Sequence, residues 1–277
     1  MYLTRHQTAG GPRWALDHRF LPSQLDLGLL LQLPKAALGP FLRAIPVGEP
    51  ASGPLLSPVE PTQEVWAAGV TYLRSREARE AESTVKDVYA RVYDAKRPEL
   101  FFKASGWRVV GHQAPIRVRD DSAWNVPEPE LTLVLNARGE IVGYCVGNDV
   151  SSRDIEGENP LYLPQAKVYE GSCALGPGIL LGDTENLKDL SVQITMTREG
   201  RPVFEGNTRT SQIKRPLEEL AGFLFLELEF PRGTFLMTGT GIVPPHDFSM
   251  IRGDTVRISI GQLTLENQVA SARAARA

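Results

Sequence analysis

Three carboxylates fall close together in one apolar part of this chain. Glu128 and Glu130 are two residues apart, and Asp149 follows nineteen residues after Glu130. Residues two apart on a strand project from the same face, so the glutamates would repel each other unless a cation lies between them. A hard divalent cation bound through oxygen meets that need. The spacing predicts a Mg²⁺ site, with Mn²⁺ or Ca²⁺ as alternatives, although two solvent-facing glutamates beside a turn would show the same spacing.

The pairing of the neighbouring strands determines whether these carboxylates lie close together. Residues 131–136 and 141–147 are typical of two strands around a glycine-containing turn. If they pair, Glu130 and Asp149 lie at the open end of a hairpin, with Glu128 one pleat further out. Three oxygen ligands leave coordination positions for water or substrate, which is typical of a catalytic site.

Two further segments contain groups that such a site could use. Lys167 precedes an apolar run interrupted by glycines. Directed into a cation site, it could bind a substrate carboxylate, or exchange protons if burial lowered its pKa. Thr238–Gly241 is a loop of small residues that could offer amides and a hydroxyl to an anion. A surface lysine and an ordinary glycine turn are the plainer interpretations.

The composition is that of a globular protein with few special features. Of 277 residues, 42% are hydrophobic and 23% charged, and the net charge of -3 gives no basic footprint for nucleic acid. No apolar run reaches the roughly 18–20 residues that span a bilayer. Cys145 and Cys173 indicate buried thiols in a reducing cytosol, with their pairing left open. We expect a cytoplasmic protein that binds neither nucleic acid nor membrane.

The organisation along the chain suggests two parts. A stretch rich in Pro, Gly and Ser follows residue 46, which predicts a small N-terminal domain and linker over 1–62 and a catalytic domain over 63–277. A charged helix is predicted at 73–94, and the residues from 98 to about 262 are rich in strand patterns. The fold class is therefore α+β and β-rich, and the tail from residue 270 is expected to fray.

Two smaller predictions concern individual elements. Pro127 and Pro129 withhold backbone donors, so the strand that carries the glutamates is predicted to be an edge or distorted strand. Pro216 is predicted to open a second helix, because proline is well tolerated in the first helical turn.

Taken together, these motifs resemble the fumarylacetoacetate hydrolase superfamily over roughly residues 64–262. The resemblance is carried by Pro98–Lys103, Glu128-x-Glu130, Gly147–Asp154, Lys167 with Leu175–Pro177, and Thr238–Thr240. It implies a mixed β-roll with a small N-terminal domain, assembled as a homodimer or homotetramer. It also implies that Glu128, Glu130 and Asp149 bind the metal, that Lys167 is the active-site lysine, and that Thr240 meets the substrate carboxylate.

One departure from the family pattern bears on the reaction. Hydrolases of the family usually carry a His-x-x-Glu pair on a lid helix to activate water, and here Ser75 and Ala78 hold those positions. The variant resembles the sugar-acid dehydratase branch. This implies metal-dependent dehydration of 2-keto-3-deoxy-D-arabinonate to 2,5-dioxopentanoate in pentose catabolism, with Ser75 or Arg76 binding the sugar hydroxyls.

The implied chemistry agrees with the residues present. A 2-keto acid can chelate a divalent cation, which makes its C3 proton more acidic and needs no attacking water. Lys167 is the first candidate for the base, with Glu99 and Glu170 as carboxylate alternatives. Two other functions stay open: a C–C hydrolase of an acylpyruvate or 2,4-diketo acid with a different base, and a metal-stabilised binding protein without activity.

Overall fold

The computed structural model describes residues 1–82, 91–182 and 184–270, and strands dominate this part of the chain. The strands are β1 (Tyr2–Thr8), β2 (Gly11–Leu16), β3 (Arg19–Phe20), β4 (Glu64–Gly69), β5 (Glu99–Ser105), β6 (Asn125–Val126), β7 (Pro129–Leu135), β8 (Ile141–Asp149), β9 (Ser151–Ser152), β10 (Cys173–Leu181), β11 (Ser191–Arg198), β12 (Arg201–Arg209), β13 (Thr234–Met237), β14 (Thr255–Ile260) and β15 (Leu263–Gln268).

These strands form one large and two smaller sheets within the described residues. The nine-stranded sheet has the order β3-β2-β1-β10-β8-β7-β13-β4-β5, and it is mixed because β13 and β4 run parallel. The four-stranded sheet, in the order β12-β11-β14-β15, is antiparallel, and β6 pairs with β9 alone. The predicted β-rich fold is confirmed.

The helices of the described residues are short. They are α1 (Leu27–Leu30), α2 (Lys35–Ala44), α3 (Leu73–Glu82), α4 (Arg153–Glu158), α5 (Leu163–Lys167) and α6 (Leu217–Leu224). The helix predicted at 73–94 is confirmed over α3 and at 91–94, whereas 83–90 lie outside the described residues, as does the tail from 271. Pro216 is the N-cap of α6 and so precedes its first turn. None of the described helices is long and apolar enough to cross a membrane.

The large sheet has an apolar core on each face, and β7 contributes to both. Leu131, Leu133 and Leu135 pack with the inner face of the four-stranded sheet, while Val134 packs with the core on the opposite side. A strand buried on both faces is apolar at nearly every position, which is why β7 lacks simple alternation. Since side chains alternate, Glu130 lies on the same side as Val134.

The hairpin predicted around the carboxylates is confirmed. β7 and β8 pair antiparallel, with Leu131 opposite Val146. The prediction of an edge or distorted strand is wrong for β7 from Thr132 onwards, which lies between β8 and β13. Its prolines are tolerated since pairing with β13 begins only at Thr132, beyond Pro127 and Pro129.

The N-terminal residues continue the large sheet through the pairing of β1 with β10. The segment that follows α2 packs alongside, with bridges between His6 and Leu55 and between Arg19 and Pro50. The buried carboxylate of Glu60 accepts hydrogen bonds from the Trp14 ring and from the start of α1. A domain boundary at 62/63 stays a prediction.

Candidate active site

The open end of the β7–β8 hairpin brings three carboxylates together. One oxygen from each of Glu128, Glu130 and Asp149 lies within 4.8 Å of the other two, and all three residues are buried. The Asp149 amide donates to the Glu128 carbonyl at 3.0 Å, which fixes the chain just beyond the strand ends. Three converging oxygen donors are the kind of set that a hard divalent cation prefers.

Cationic side chains surround one member of this cluster. Lys167 Nζ lies 2.6 Å from Glu128 Oε2 and 3.1 Å from Asp149 Oδ2. Arg79 Nη2 and Arg153 Nη2 each lie 2.9 Å from Glu128 Oε1. Burial raises the pKa of Glu128, but Lys167, Arg79 and Arg153 outweigh it and hold that pKa below its ordinary value. Glu128 is therefore a carboxylate at neutral pH.

Glu130 has a different environment. Its carboxylate accepts one hydrogen bond, from the Gly239 amide at 2.7 Å, and makes no Lys or Arg ion pair within the described residues. Gly239 adopts a φ of 87°, a left-handed conformation that suits glycine. Burial, Asp149 and Glu128 together raise the pKa of Glu130 well above its ordinary value. A buried carboxylate without a compensating cation fits a site built for a divalent metal ion.

A small cavity opens onto the cluster. It is lined by Ala68, Gly69, Val70, Ser75, Arg79, Glu99, Phe101, Glu128, Glu130, Asp149, Glu156, Leu163, Lys167, Gly239 and Thr240. The acidic and basic groups in its wall favour a small, polar, anionic ligand.

Glu99 has the pKa best suited to proton transfer in this cavity. Burial and the neighbouring Glu156 raise the pKa of Glu99 to about 7. Its carboxylate packs directly over Gly69, the residue opposite it on β4, where any Cβ would collide with it. The absence of a side chain at Gly69 is therefore what makes room for Glu99.

Lys167 carries a proton in this environment. Burial lowers its pKa, but Asp149, Glu128 and Glu156 outweigh burial and hold the pKa of Lys167 above its ordinary value. The side chain therefore acts as an ammonium group while these carboxylates are its partners. That state suits a proton donor better than the base that the sequence suggested.

The structure brings Ser75 and Thr240 to the cavity, as the sequence suggested. Ser75 Oγ donates to the Tyr72 carbonyl at 2.8 Å and accepts from the Tyr72 amide at 3.3 Å, which caps the start of α3. Thr240 Oγ1 accepts from the Ile242 amide at 3.2 Å. Both hydroxyls are thereby fixed by backbone groups beside the cavity.

Two candidates from the sequence do not reach the cavity. Arg76 points towards Glu80, with its Nε 3.3 Å from Oε1 of that residue, because it lies on a different face of α3 from Ser75. Glu170 has a side chain that is 53% exposed and lies 3.6 Å from Arg117. The positions of these two side chains therefore do not support the assignments of Arg76 to sugar binding and of Glu170 to proton abstraction, and both stay predictions.

Sequence reasoning missed several residues that the structure places here. Arg79 was not singled out within the charged helix predicted at 73–94, yet it lies one turn after Ser75 and joins Glu128 to Glu156 at 2.9 and 2.8 Å. The i,i+4 spacing from Ser75 was the available signal. Lys103 was quoted only as part of a motif, although it is fully buried and forms an ion pair with Asp149.

The family follows from comparison with known proteins. The family model described as fumarylacetoacetate (FAA) hydrolase C-terminal matches residues 64–270, well over half of the chain. This chain belongs to the fumarylacetoacetate hydrolase family. That membership confirms the resemblance found in the sequence.

Several family members are closely similar to the chain. Probable 2-keto-3-deoxyxylonate dehydratase of Haloferax volcanii is 50% identical over 209 residues, covering 75% of this chain and 72% of that protein. 2-dehydro-3-deoxy-D-arabinonate dehydratase of Saccharolobus solfataricus is 45% identical over 214 residues, covering 76% and 72%. A structure of 2-keto-3-deoxy-D-arabinonate dehydratase complexed with magnesium and 2,5-dioxopentanoate has a TM-score of 0.84 and 37% identity, covering 99% of this chain and 100% of that one.

The unusual pKa of Glu130 predicts how metal ions affect stability. Because the fold favours its protonated form, the free energy of unfolding of the metal-free protein should fall as pH rises above about 4.5, the ordinary value. Mg²⁺ at one hundred times its dissociation constant should restore about 2.7 kcal/mol at neutral pH. Urea unfolding with EDTA or Mg²⁺ measures both effects.

Glu130→Gln provides the matched variant. A neutral amide has no ionisation penalty, so the metal-free variant should be at least as stable as the parent at pH 8 and should gain little from Mg²⁺. If the variant kept the full stabilisation by Mg²⁺, the carboxylate of Glu130 would have no part in binding the ion.

Proposed function

We propose that this protein is a metal-dependent dehydratase that converts 2-keto-3-deoxy-D-arabinonate to 2,5-dioxopentanoate in pentose catabolism. The observation that carries the proposal is a buried carboxylate cluster beside Lys167, in a cavity where the water-activating pair of the hydrolases is replaced by Ser75 and Ala78. The similarity to sugar-acid dehydratases at 45–50% identity supports it.

The metal is proposed to be Mg²⁺, with Mn²⁺ or Ca²⁺ as substitutes. Glu128, Glu130 and Asp149 would hold it, since their oxygens converge and Glu130 lacks a cationic partner. When bound, the ion supplies Lewis-acid polarisation of the 2-keto group, which makes the C3 proton more acidic. The magnesium and 2,5-dioxopentanoate in the similar dehydratase structure support this assignment.

The acid and base are assigned from their protonation states. Glu99 is proposed to remove the C3 proton, because its pKa of about 7 leaves it able to accept a proton at neutral pH. Lys167, held as an ammonium by its carboxylate partners, is proposed to protonate the C4 hydroxyl as it leaves as water. The resulting enone then isomerises through the C5 enol to the aldehyde. Two groups with well-separated pKa values can divide these tasks.

Substrate binding is proposed to involve groups from two segments that line the cavity. Thr240 and the Gly239 turn lie beside Glu130, where the carboxylate of a 2-keto acid would approach the cluster. Ser75 and Arg79 come from α3 and are suited to the sugar hydroxyls. Both side chains are held by other groups of the protein, which limits the entropy lost on binding.

Hydrolysis of an acylpyruvate or 2,4-diketo acid receives less support. That reaction needs a group that activates water, and Ser75 Oγ donates its proton to the Tyr72 carbonyl instead. Ala78 offers no acid or base. Dehydration needs no attacking water, so the groups present are sufficient for it.

The proposed reaction is tested by identifying the products formed from two candidate substrates. Purified protein with Mg²⁺ and 2-keto-3-deoxy-D-arabinonate should give a single five-carbon product with the mass and proton spectrum of 2,5-dioxopentanoate. EDTA should abolish the conversion. If the protein instead cleaved an acylpyruvate into a keto acid and a second acid, and left the sugar acid unchanged, the proposed reaction would be wrong.

Glu99 and Glu170 form a matched pair for testing the base. Glu99→Gln should lower kcat/KM by about 10²–10⁴-fold, the usual contribution of a positioned acid or base. Glu170→Gln, on the exposed side, should retain the activity of the parent. Equal losses in both variants would contradict the assignment.

The pH profile of the parent gives a second measurement. A base acts only when deprotonated, so kcat/KM should rise with pH and level off above the pKa of Glu99. The rise should lie at or below pH 7, since a bound cation favours the ionised form. This rise of kcat/KM with pH should be missing in Glu99→Gln.

We also propose a homodimer or homotetramer in the cytoplasm. Large apolar side chains are exposed on the single chain, including Trp107 at 68%, Leu161 at 84% and Leu226 at 59%, which supports contact between copies. The free, buried Cys145 and Cys173 are consistent with a reducing compartment. Light scattering tests the assembly: we expect at least twice the mass of the chain, and a single-chain mass would rule it out.

A further inference from the structure

Lys103 is a fully buried lysine that does not line the cavity. Its ammonium group lies beneath the carboxylate cluster. Nζ forms an ion pair with Asp149 Oδ1 at 2.5 Å and donates hydrogen bonds to the Lys167 carbonyl at 2.5 Å and to the Val150 carbonyl at 3.1 Å. Two of its three N–H donors are therefore used by backbone carbonyls, and its charge is paired with Asp149.

A β-bulge places this lysine. In the pairing of β4 with β5, Val65 lies opposite Ala104 and Trp66 lies opposite Phe102, which leaves Lys103 as an extra residue. A bulge bends an edge strand and changes the direction of a side chain. Here it turns a charged side chain of the outermost strand into the interior, where an unpaired charge would be strongly unfavourable.

The same strand contacts Lys167 at two points. Lys103 donates to the Lys167 carbonyl at the end of α5, while the Phe101 ring lies 6.0 Å from Lys167 Nζ. Ser172 Oγ also donates to that carbonyl, at 2.8 Å. The backbone of Lys167 is thereby tied to the residue that holds Asp149, so one ammonium group fixes two members of the site relative to each other.

We propose that Lys103 is a positioning residue that orients Asp149 towards the metal ion and holds the backbone of Lys167 at a fixed position relative to Asp149. The inference rests on the proposed function, since it assumes that the carboxylates bind a cation. With Oδ1 held by Lys103, Asp149 presents Oδ2 on the side where Lys167 Nζ lies at 3.1 Å. Partners behind metal ligands commonly change metal affinity or activity by about 10–100-fold when removed.

If Lys103 acted only through its charge, its removal would change the metal affinity in the opposite direction. Lys103 carries a positive charge next to a carboxylate, and a positive charge repels a metal cation. Loss of that charge alone would therefore tighten metal binding. A positioning role predicts weaker binding, because Asp149 would lose its fixed orientation. The direction of the change in dissociation constant distinguishes the two roles.

The experiment measures Mn²⁺ binding by electron paramagnetic resonance in the parent and in two variants. Lys103→Met keeps most of the side-chain volume and removes the ammonium group. Lys188→Met removes the same charge from a side chain that is 53% exposed and paired with Glu185. We expect a dissociation constant raised about 10–100-fold by the first substitution and unchanged by the second. A lower melting temperature alone would indicate only a structural role.

The outcomes separate this inference from the proposed function. If the parent bound no Mn²⁺, the proposed function and the inference would both be overturned. If the parent bound Mn²⁺ and folded Lys103→Met bound it equally or more tightly, the inference alone would be overturned. The measurement is independent of the substrate, so a wrong sugar acid would not affect it.

A second measurement covers the case in which Lys103→Met does not fold. Lysine labelled with ¹⁵N at Nζ should give one slowly exchanging ammonium resonance from Lys103 in the parent, because the ammonium group is buried and donates two hydrogen bonds to backbone carbonyls. Saturation with Mg²⁺ should shift this resonance, since its ion-pair partner Asp149 then binds the metal ion. An unshifted resonance in a protein that binds Mg²⁺ would overturn the inference.

Discussion

The burial of charge is the constraint on which the rest of the structure depends. Five carboxylates and four cationic side chains meet in and beneath one cavity of the described residues. They are Glu99, Glu128, Glu130, Asp149 and Glu156, with Arg79, Lys103, Arg153 and Lys167. Removing any one of these from water is unfavourable by several kcal/mol unless partners replace the lost hydration. Within the part of the chain that the structure describes, Glu99 and Glu130 are the two carboxylates of this set that form no ion pair with Lys or Arg, and Glu130 belongs to the cluster whose oxygens converge.

The same type of side chain exists in different protonation states because its partners differ. Glu128, in contact with three cationic side chains, has a lowered pKa, whereas Glu130 has a raised one. The pKa of Glu99 is raised to about 7. Distance and burial thus give one type of side chain different protonation states within one cavity, and the roles proposed for these residues depend on that difference.

The local part of this arrangement could be predicted from the sequence. Glu128, Glu130 and Asp149 belong to one hairpin, so strand alternation and a short turn were enough to bring them together. Arg79 and Lys103 come from elements distant in sequence, and their pairing depends on how α3 and β5 pack. Periodicity cannot distinguish a solvated charged helix from one whose arginine enters a cavity.

Individual errors in the prediction have equally physical causes. Pro127, just before β7, and Pro129, its first residue, indicated an edge or distorted strand, but β13 begins to pair with β7 only beyond them. Arg76 and Arg79 looked equivalent in a charged run, although the helical rotation between them places only Arg79 in the cavity wall. The bulge at Lys103 gives no signal in the sequence, because an extra residue in a strand looks like any other.

Gly69 has a consequence for any attempt to alter the substrate range by directed evolution. The residue has no functional group, yet the Glu99 carboxylate occupies the space that its side chain would need. In libraries that randomise the cavity wall, any side chain at this position would have to move the Glu99 carboxylate, so a change made to alter the space for substrate would also move the proposed base. Val70 and Leu163 line the same cavity and offer other positions at which its size could be varied.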